Sequence, residues 1–254
     1  MSRALYQPKG KAGEYASWAC NLFVGCPNGC TYCYNKTGRL SHAMGGEKAV
    51  LKKCFKDEED AYLSFVSELI PKREQVSAGG GVFFSFTTDP CLPETIGLTL
   101  RCVRYAAGMW NIPCQILTKR TDWQSKAKLL MEVLSLPKDK VSFGFTLTGV
   151  DQAEPGASPN KARIRTMRQL HEKGFRTFAS IEPIVDFDAS TEMILQTLDF
   201  CDEYKTGLMT GNKNAYKGYD MPARLVKYVE DVRNLTSLKG IPVYFKRSIT
   251  EILP

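Results

Sequence analysis

Apolar and polar residues follow one another along the chain in a pattern that predicts strands alternating with helices. Short apolar runs of five to seven residues are typical of buried strands. The runs are 19–24, 82–86, 114–118, 141–147, 176–181, 204–209 and 242–246. Between them, apolar residues recur at every third or fourth position, which predicts amphipathic helices. The helical stretches are 57–70, 94–108, 122–134, 158–170, a stretch beginning at Ser190, and 221–235.

Four residues are predicted to mark where these helices begin. Asp57, Asp122 and Ser190 have the short polar side chains that are favoured at helix N-caps. Pro159, directly after Ser158, suits the first turn of a helix.

The alternation predicts an α/β fold in a single domain over residues 1–254. Six β–α units in about 240 residues imply a mostly parallel sheet with helices outside it. Chain handedness then favours a partial (β/α)6 barrel of the TIM type, in which chemistry gathers at the carboxyl ends of the strands. We expect an N-terminal segment over 1–18, a barrel core over 19–210, and a C-terminal helix with a closing strand over 211–254.

Composition narrows the class of protein. The chain has 254 residues, of which 43% are hydrophobic, enough for a sizeable core. We expect no membrane span, because no apolar run approaches about 20 residues. The first residues do not resemble a signal peptide, and nine cysteines without one favour a reducing cytoplasm. The net charge of +7 permits an anionic partner, including nucleic acid. Most basic residues are scattered, and Lys9 and Lys11 beside Glu14 form only a small patch.

The most informative stretch contains Cys26, Cys30 and Cys33, separated by turn-forming residues. Thiolates at this density are ligands for soft metals. A zinc site would need a fourth ligand, and the two histidines, His42 and His171, are not suitably spaced. A disulfide framework is disfavoured, since nine cysteines cannot all pair. Three ligands favour an iron–sulfur cubane with one iron left open to a small molecule.

Further polar residues follow the predicted strands, where a bound ligand would meet them. The same pattern would arise without a ligand. The polar residues could end a strand, form a turn or be surface cations, and Glu182 could belong to a buried ion pair. The candidates are Thr87, Thr88 and Asp89 after the second run, Lys119 after the third, Thr146 and Thr148 after the fourth, Arg163 in the next helix, and Glu182 after the fifth run.

The cysteine stretch resembles the signature of the radical S-adenosylmethionine (SAM) enzymes. Four segments recur in order in spore photoproduct lyase and its radical SAM relatives, and the resemblance covers roughly residues 15–185. They are Gly25 to Tyr34 with the cysteines, Thr88-Asp89-Pro90, Leu117-Thr118-Lys119, and Glu154 to Pro159 with Arg163.

This resemblance implies a 4Fe–4S cluster on the three cysteines, with SAM bound to the fourth iron. The reduced cluster would cleave SAM to a 5′-deoxyadenosyl radical, which abstracts hydrogen from a substrate. A one-electron donor of the flavodoxin or ferredoxin type would be required.

The resemblance also implies residue roles around SAM. Tyr32 would lie against the adenine, and Thr87, Thr88 and Asp89 would replace the sequence that usually holds the methionyl amino group. Lys119 would lie near SAM, and Thr146, with Thr148 beside it, would face the ribose or the carboxylate. Arg163 would bind the carboxylate, for which the guanidinium fork is suited. Glu182 would reach SAM or the substrate.

One departure from the family pattern limits the conclusion. Phe86 occupies the position where spore photoproduct lyases carry a hydrogen-donating cysteine, and Cys91 lies beyond the Pro90 turn. The cofactor chemistry is therefore expected, whereas the repair of thymine dimers is not.

We expect a nucleic-acid or nucleotide substrate. Modification of a peptide or small metabolite, and a non-enzymatic iron–sulfur redox sensor, remain open. The sequence leaves the oligomeric state open, with a monomer as the expectation.

Overall fold

A parallel sheet runs through the computed structural model, which describes residues 4–37, 41–209, 211 and 214–253. The strands in these residues are β1 Leu5–Tyr6, β2 Ala19–Cys20, β3 Phe23–Val24, β4 Val50–Leu51, β5 Val82–Phe84, β6 Cys114–Thr118, β7 Val141–Thr146, β8 Arg176–Ile184, β9 Tyr204–Leu208 and β10 Val243–Phe245. Eight of them form one sheet in the order β1-β2-β5-β6-β7-β8-β9-β10, and β3 pairs with β4.

The strand directions confirm the predicted α/β architecture. From β2 to β10 every neighbouring pair in the large sheet is parallel, while β1 is antiparallel to β2. The seven predicted runs therefore supply seven neighbouring strands in chain order, as in a partial TIM-like barrel. Because the strands are parallel, their carboxyl ends lie at one edge of the sheet.

Helices connect the strands and cover one face of the sheet. They are α1 Tyr34–Thr37, α2 Ser41–Met44, α3 Glu58–Leu69, α4 Arg73–Ala78, α5 Ile96–Val103, α6 Ala127–Leu134, α7 Asn160–Glu172, α8 Phe187–Thr197, α9 Met221–Ser237 and α10 Arg247–Thr250. A π-helical turn, Arg104–Met109, continues α5. Short 3-10 turns occupy Gly10–Glu14, Ile70–Lys72, Asp122–Ser125 and Asp151–Ala153. Within the described residues, no helix combines the length and apolar character needed to cross a bilayer.

Two of the predicted helix starts are correct and two are wrong. Asp57 caps α3 by accepting a hydrogen bond from the Asp60 amide at 2.8 Å, and α7 begins directly after Pro159. Asp122 instead lies in a 3-10 turn, where Arg120 holds its carboxylate at 2.9 Å. Ser190 lies buried inside α8, because a better cap, Asp186, is available one turn earlier. The Asp186 carboxylate accepts a hydrogen bond from the Ala189 amide at 2.7 Å.

The predicted strand over 19–24 is two strands in different sheets. The chain leaves the large sheet at Asn21, whose side-chain oxygen accepts hydrogen bonds from the Ser85 hydroxyl and the Phe86 amide. The last predicted run, 242–246, does close the sheet as β10. Strand β8 extends to Ile184, with a register shift after Ile181, so Glu182 lies within the end of the strand rather than after it.

The sheet buries different residues on its two faces. The main core lies between the strands and the helices. Ala19, Phe83 and Phe178 form a smaller buried cluster, bordered by Tyr15 and Phe86. Because side chains alternate along a strand, this cluster lies on the face away from the helices, inside the partial barrel. The interior next to the carboxyl ends of the strands is therefore aromatic.

Candidate functional site

A cavity of about 460 Å³ lies at the carboxyl ends of the parallel strands, within the usual size range of ligand sites. Most of the predicted site residues line it: Cys26, Cys30, Cys33, Tyr32, Thr88, Asp89, Lys119, Thr146 and Glu182. Thr87, Thr148 and Arg163 do not line it. The structure thus brings predicted side chains from four strand ends and the cysteine stretch into one place.

The cysteine loop, residues 25–33, is shaped by glycine and fixed by its neighbours. Gly25 has a φ of +81°, and a Cβ there would lie 2.3 Å from the Lys48 carbonyl oxygen, so the close approach requires glycine. The Cys26 amide donates to the Gly46 carbonyl at 2.8 Å. On the other side, the Gly156 amide donates to the Asn28 carbonyl at 2.9 Å. The loop is therefore held between residues 46–48 and the segment after β7.

The Thr-Thr-Asp segment holds the same loop through its side chains. The hydroxyl of Thr87 donates to the Phe23 carbonyl, and that of Thr88 to the Gly25 carbonyl, each at 2.6 Å. One Asp89 oxygen accepts from the Asn28 amide group at 2.9 Å. The carboxylate also accepts from the Thr118 hydroxyl at 2.6 Å and from the Lys119 and Cys91 backbone amides. These polar atoms position the cysteine loop on β5 and β6, a role that the sequence did not suggest.

Replacing Thr88 with valine is expected to loosen the cysteine loop. The valine matches threonine in size but leaves the buried Gly25 carbonyl without its donor, which costs about 1–3 kcal/mol. We expect the free energy of unfolding to fall by that amount in chemical denaturation. Thr250→Val, at an exposed position of α10, is the matched control. Equal stability of the two variants would contradict a holding role for Thr88.

Glu154 is the centre of a buried network beneath the loop. The Tyr32 hydroxyl donates to one Glu154 oxygen. The other oxygen accepts from Arg163 at 2.6 Å and from the Thr148 hydroxyl at 3.1 Å. Arg163 is fully buried and also donates to the carbonyls of Ser158 and of Thr146. Arg163 and Thr148 therefore act on the cavity through Glu154 and Tyr32. Glu154 was missed as a site residue, although it opens one of the segments that the sequence singled out.

The surroundings of Lys119, Cys26 and Cys30 set the protonation of these three side chains. The Lys119 ammonium lies 5.7 Å from the centre of the Tyr32 ring. Burial lowers the pKa of Lys119, but Cys30 and Glu154 raise it more, so that its pKa lies above the ordinary value. Burial, with Asp89 nearby, raises the pKa of Cys26 to about 11, and burial also raises the pKa of Cys30. These two thiols are protonated at neutral pH until a metal replaces the proton.

At the other end of the cavity, Tyr15, Glu182 and Lys246 form a second network. The Tyr15 hydroxyl donates to Glu182 at 2.7 Å and lies 2.6 Å from the Ser180 hydroxyl oxygen. The Lys246 ammonium lies 2.7 Å from Glu182 and 3.9 Å from the centre of the Tyr15 ring. Burial, followed by the Glu182 charge, raises the pKa of Tyr15, which keeps its phenol a donor. Glu182 is thus in an ion pair with a buried lysine, one of the alternatives that the sequence left open.

Sequence reasoning missed Tyr15 and Lys246. Tyr15 lies in the N-terminal segment, for which no function had been assigned. Lys246 ends the last predicted strand, and its position at a carboxyl end was the available signal. We call Lys9, Lys11, Tyr15, Ser180, Glu182 and Lys246, all of which line the cavity, its basic end.

The donor set suits a cluster better than a single ion. Cys26, Cys30 and Cys33 are free thiols that line one cavity. In the described residues, no three or more His, Cys, Asp or Glu side chains come together as a single metal ion would require. A cubane makes a different demand, because each thiolate binds a different iron. Three thiols around one cavity therefore fit an iron–sulfur cluster with one iron that has no protein ligand.

Comparison with curated proteins finds two remote relatives, and no protein-family model matches the chain. The chain is 26% identical over 220 residues to the uncharacterized protein ORF301 of Acidianus two-tailed virus, which covers 78% of this chain and 68% of that protein. It is 21% identical over 255 residues to the uncharacterized protein MJ0683 of Methanocaldococcus jannaschii, which covers 90% of this chain and 89% of that protein. Neither name carries a function.

Solved structures share the fold. SuiB of Streptococcus suis bound to the precursor peptide SuiA matches with a TM-score of 0.60 and 12% identity, over 92% of this chain and 50% of SuiB. SuiB bound to S-adenosylmethionine matches with a TM-score of 0.54 and 13% identity, over 87% of this chain and 44% of SuiB. The chain spans about half the length of the SuiB structure, and the likeness confirms the predicted architecture.

Proposed function

We propose that this chain is a radical SAM enzyme whose 4Fe–4S cluster is held by Cys26, Cys30 and Cys33. The observation that carries the proposal is the meeting of three free thiols with charged and aromatic side chains in one cavity, at the carboxyl ends of a partial barrel. When bound, the reduced cluster supplies the electron that cleaves SAM to methionine and a 5′-deoxyadenosyl radical, which takes hydrogen from the substrate. The likeness of the fold to SuiB, which has been solved with SAM, supports the same reading.

The residues of the site form two groups. One group contacts SAM, and the other holds the cysteine loop and Tyr32 in place. Tyr32, Lys119 and Thr146 line the cavity beside the cysteines, and we assign SAM contacts to them. Lys119 stays protonated and suits the carboxylate of SAM. Thr87, Thr88 and Asp89 hold the cysteine loop, while Arg163 and Thr148 hold Glu154 and through it Tyr32. These hydrogen bonds lie within the protein, and of the Arg163 guanidinium only Nη2 has no partner among the described residues.

The aromatic interior excludes water from the reacting groups. Phe83 is buried, and its ring stacks on Phe86 in the cavity wall with centroids 4.4 Å apart. A dry site protects a radical from side reactions. An electron donor of the flavodoxin or ferredoxin type completes the proposal, and the free thiols suit a reducing cytoplasm.

For the substrate we favour a nucleic-acid or nucleotide component, and a peptide is the second candidate. The net charge of +7 and the lysines of the cavity support the first. The match to SuiB solved with its precursor peptide supports the second. The spore photoproduct lyase resemblance extends to the cofactor chemistry only, since Phe86 replaces the cysteine of that reaction.

The test is release of 5′-deoxyadenosine by the anaerobically reconstituted protein. With dithionite and SAM, we expect 5′-deoxyadenosine in liquid chromatography and about four irons per chain. A cluster-loaded protein that releases none would be a redox sensor rather than an enzyme. Zinc in place of iron would remove the premise of the proposal.

A further inference from the structure

The basic end of the cavity carries more positive than negative charge. Of the charged side chains that line the whole cavity, four are lysines and two are carboxylates. Asp89 is occupied by four hydrogen-bond donors, and Lys119 lies beside the cysteines. The basic end therefore has Lys9, Lys11 and Lys246 against the single carboxylate of Glu182. Two of these three cations are in excess.

Lys246 is built into this end, whereas Lys9 and Lys11 stand at its mouth. Lys246 is only 2% exposed, and its ammonium has three N–H donors. The Glu182 carboxylate and the Lys11 carbonyl, at 3.4 Å, accept two of them, which leaves the third donor for a ligand. Lys9 and Lys11 are exposed and, among the described residues, neither forms an ion pair. Two free ammonium groups and one buried ammonium thus border the same space.

An aromatic wall adjoins these lysines. One face of the Phe86 ring packs on Phe83 at an interplanar angle of 15°, and Phe86 is part of the cavity lining. Tyr15 contacts both rings, with centroids 5.4 Å from Phe83 and 6.1 Å from Phe86. Aromatic side chains of this kind stack on nucleobases without regard to base identity.

We propose that the basic end is the substrate subsite and that it takes a nucleotide, with the phosphate at Lys9, Lys11 and Lys246 and the base on Phe86. The assignment rests on the proposed function, which makes this cavity the reaction site. Two excess positive charges match a phosphate, which carries up to two negative charges, better than the single charge of a carboxylate. Lysines bind phosphate as point charges and need no bidentate geometry. Glu182 fixes the Lys246 ammonium in the site.

The test measures binding of deoxynucleoside 5′-monophosphates, and of the same nucleosides without phosphate, by calorimetry. The full chain is reconstituted and saturated with SAM, so that the SAM contacts are already filled. We expect the nucleotide to bind at least about tenfold more tightly than its nucleoside. Lys9→Gln and Lys11→Gln should each weaken nucleotide binding about two- to fivefold and leave nucleoside binding unchanged. Lys128→Gln, an exposed lysine of α6, removes the same charge elsewhere and should change nothing.

Lys246 needs a paired variant, because its loss alone would leave the half-buried Glu182 carboxylate without its counter-charge. Lys246→Met with Glu182→Gln removes both charges, and we expect nucleotide binding to weaken at least about tenfold. If that protein does not fold, the Lys9 and Lys11 variants alone decide the outcome.

Several results would overturn the subsite. They are equal affinity for nucleotide and nucleoside, equal effects of Lys9→Gln and Lys128→Gln, competition between SAM and the nucleotide, and binding of tetraglutamate in place of the nucleotide. The last would favour an acidic peptide. Failure of the cofactor chemistry would show separately, as absence of 5′-deoxyadenosine while nucleotide binding and its lysine dependence persist.

Discussion

Replacing Cys30 with alanine is expected to remove the iron–sulfur cluster and, with it, the release of 5′-deoxyadenosine. The variant leaves only Cys26 and Cys33 as thiol ligands around the cavity. Loss of a group that only hydrogen-bonds to a metal ligand already lowers metal affinity or activity about 10–100-fold. Loss of a direct ligand should therefore reduce the rate of 5′-deoxyadenosine release by more than about 100-fold. We expect iron to fall from about four to below about one per chain, measured by iron analysis and by the absorbance of the reconstituted protein. The same result is expected for Cys26→Ala and Cys33→Ala.

The matched control is Cys54→Ala, an exposed cysteine that does not line the cavity. It should retain the iron content and the product release of the unaltered protein. A Cys30→Ala protein that keeps both would show that the cluster, if present, is bound elsewhere.

Replacing Glu154 with glutamine is expected to give the largest loss of stability among the site variants. Glu154 and Arg163 are both fully buried and form an ion pair at 2.6 Å. Breaking a buried pair leaves one charge without compensation and costs about 3–5 kcal/mol. We expect the free energy of unfolding in urea to fall by that amount. Because Tyr32 also donates to Glu154, the reconstituted variant should bind SAM less tightly.

Two further variants separate the ion pair from other effects. Glu59→Gln breaks an exposed pair with Arg101 and should have a much smaller effect. The double variant Glu154→Leu with Arg163→Met removes both buried charges and should be less destabilised than the sum of the single variants. A loss below about 1 kcal/mol for Glu154→Gln would contradict the central place of this pair.

The architecture could be predicted because it depends on local periodicity. Each apolar run pairs with the next, and crossover handedness leaves few alternatives for such a chain. The position of the cysteines at the carboxyl ends followed from the order of the elements. The first residues of the helices were harder to predict. Asp186 and Ser190 lie one turn apart, and the side chain of either residue type can cap a helix N-terminus.

The roles of individual polar residues could not be predicted, because their partners are distant in the chain. Thr87 and Thr88 bond to carbonyls 64 and 63 residues away, and Asp89 bonds to Asn28 across 61 residues. The sequence places these residues at a strand end but does not show whether they face a ligand or the cysteine loop. Tyr15 meets Glu182 across 167 residues, and only the folded chain brings them together.

For Arg163 the kind of partner was predicted correctly, but not the partner itself. The resemblance assigns its guanidinium to the carboxylate of SAM, and the structure places it on the carboxylate of Glu154, nine residues earlier. In both cases the partner of the guanidinium is a carboxylate. A guanidinium predicts a carboxylate partner, but only the folded structure shows which carboxylate it binds.

The most direct measurement of the central claim is the electron paramagnetic resonance spectrum of the reduced cluster with and without SAM. Three cysteines leave one iron open, so SAM should bind it and shift the spectrum of the reconstituted protein. We expect that shift in the unaltered chain and a spectrum without a cluster signal in Cys30→Ala. A reduced cluster whose spectrum is identical with and without saturating SAM would contradict the account.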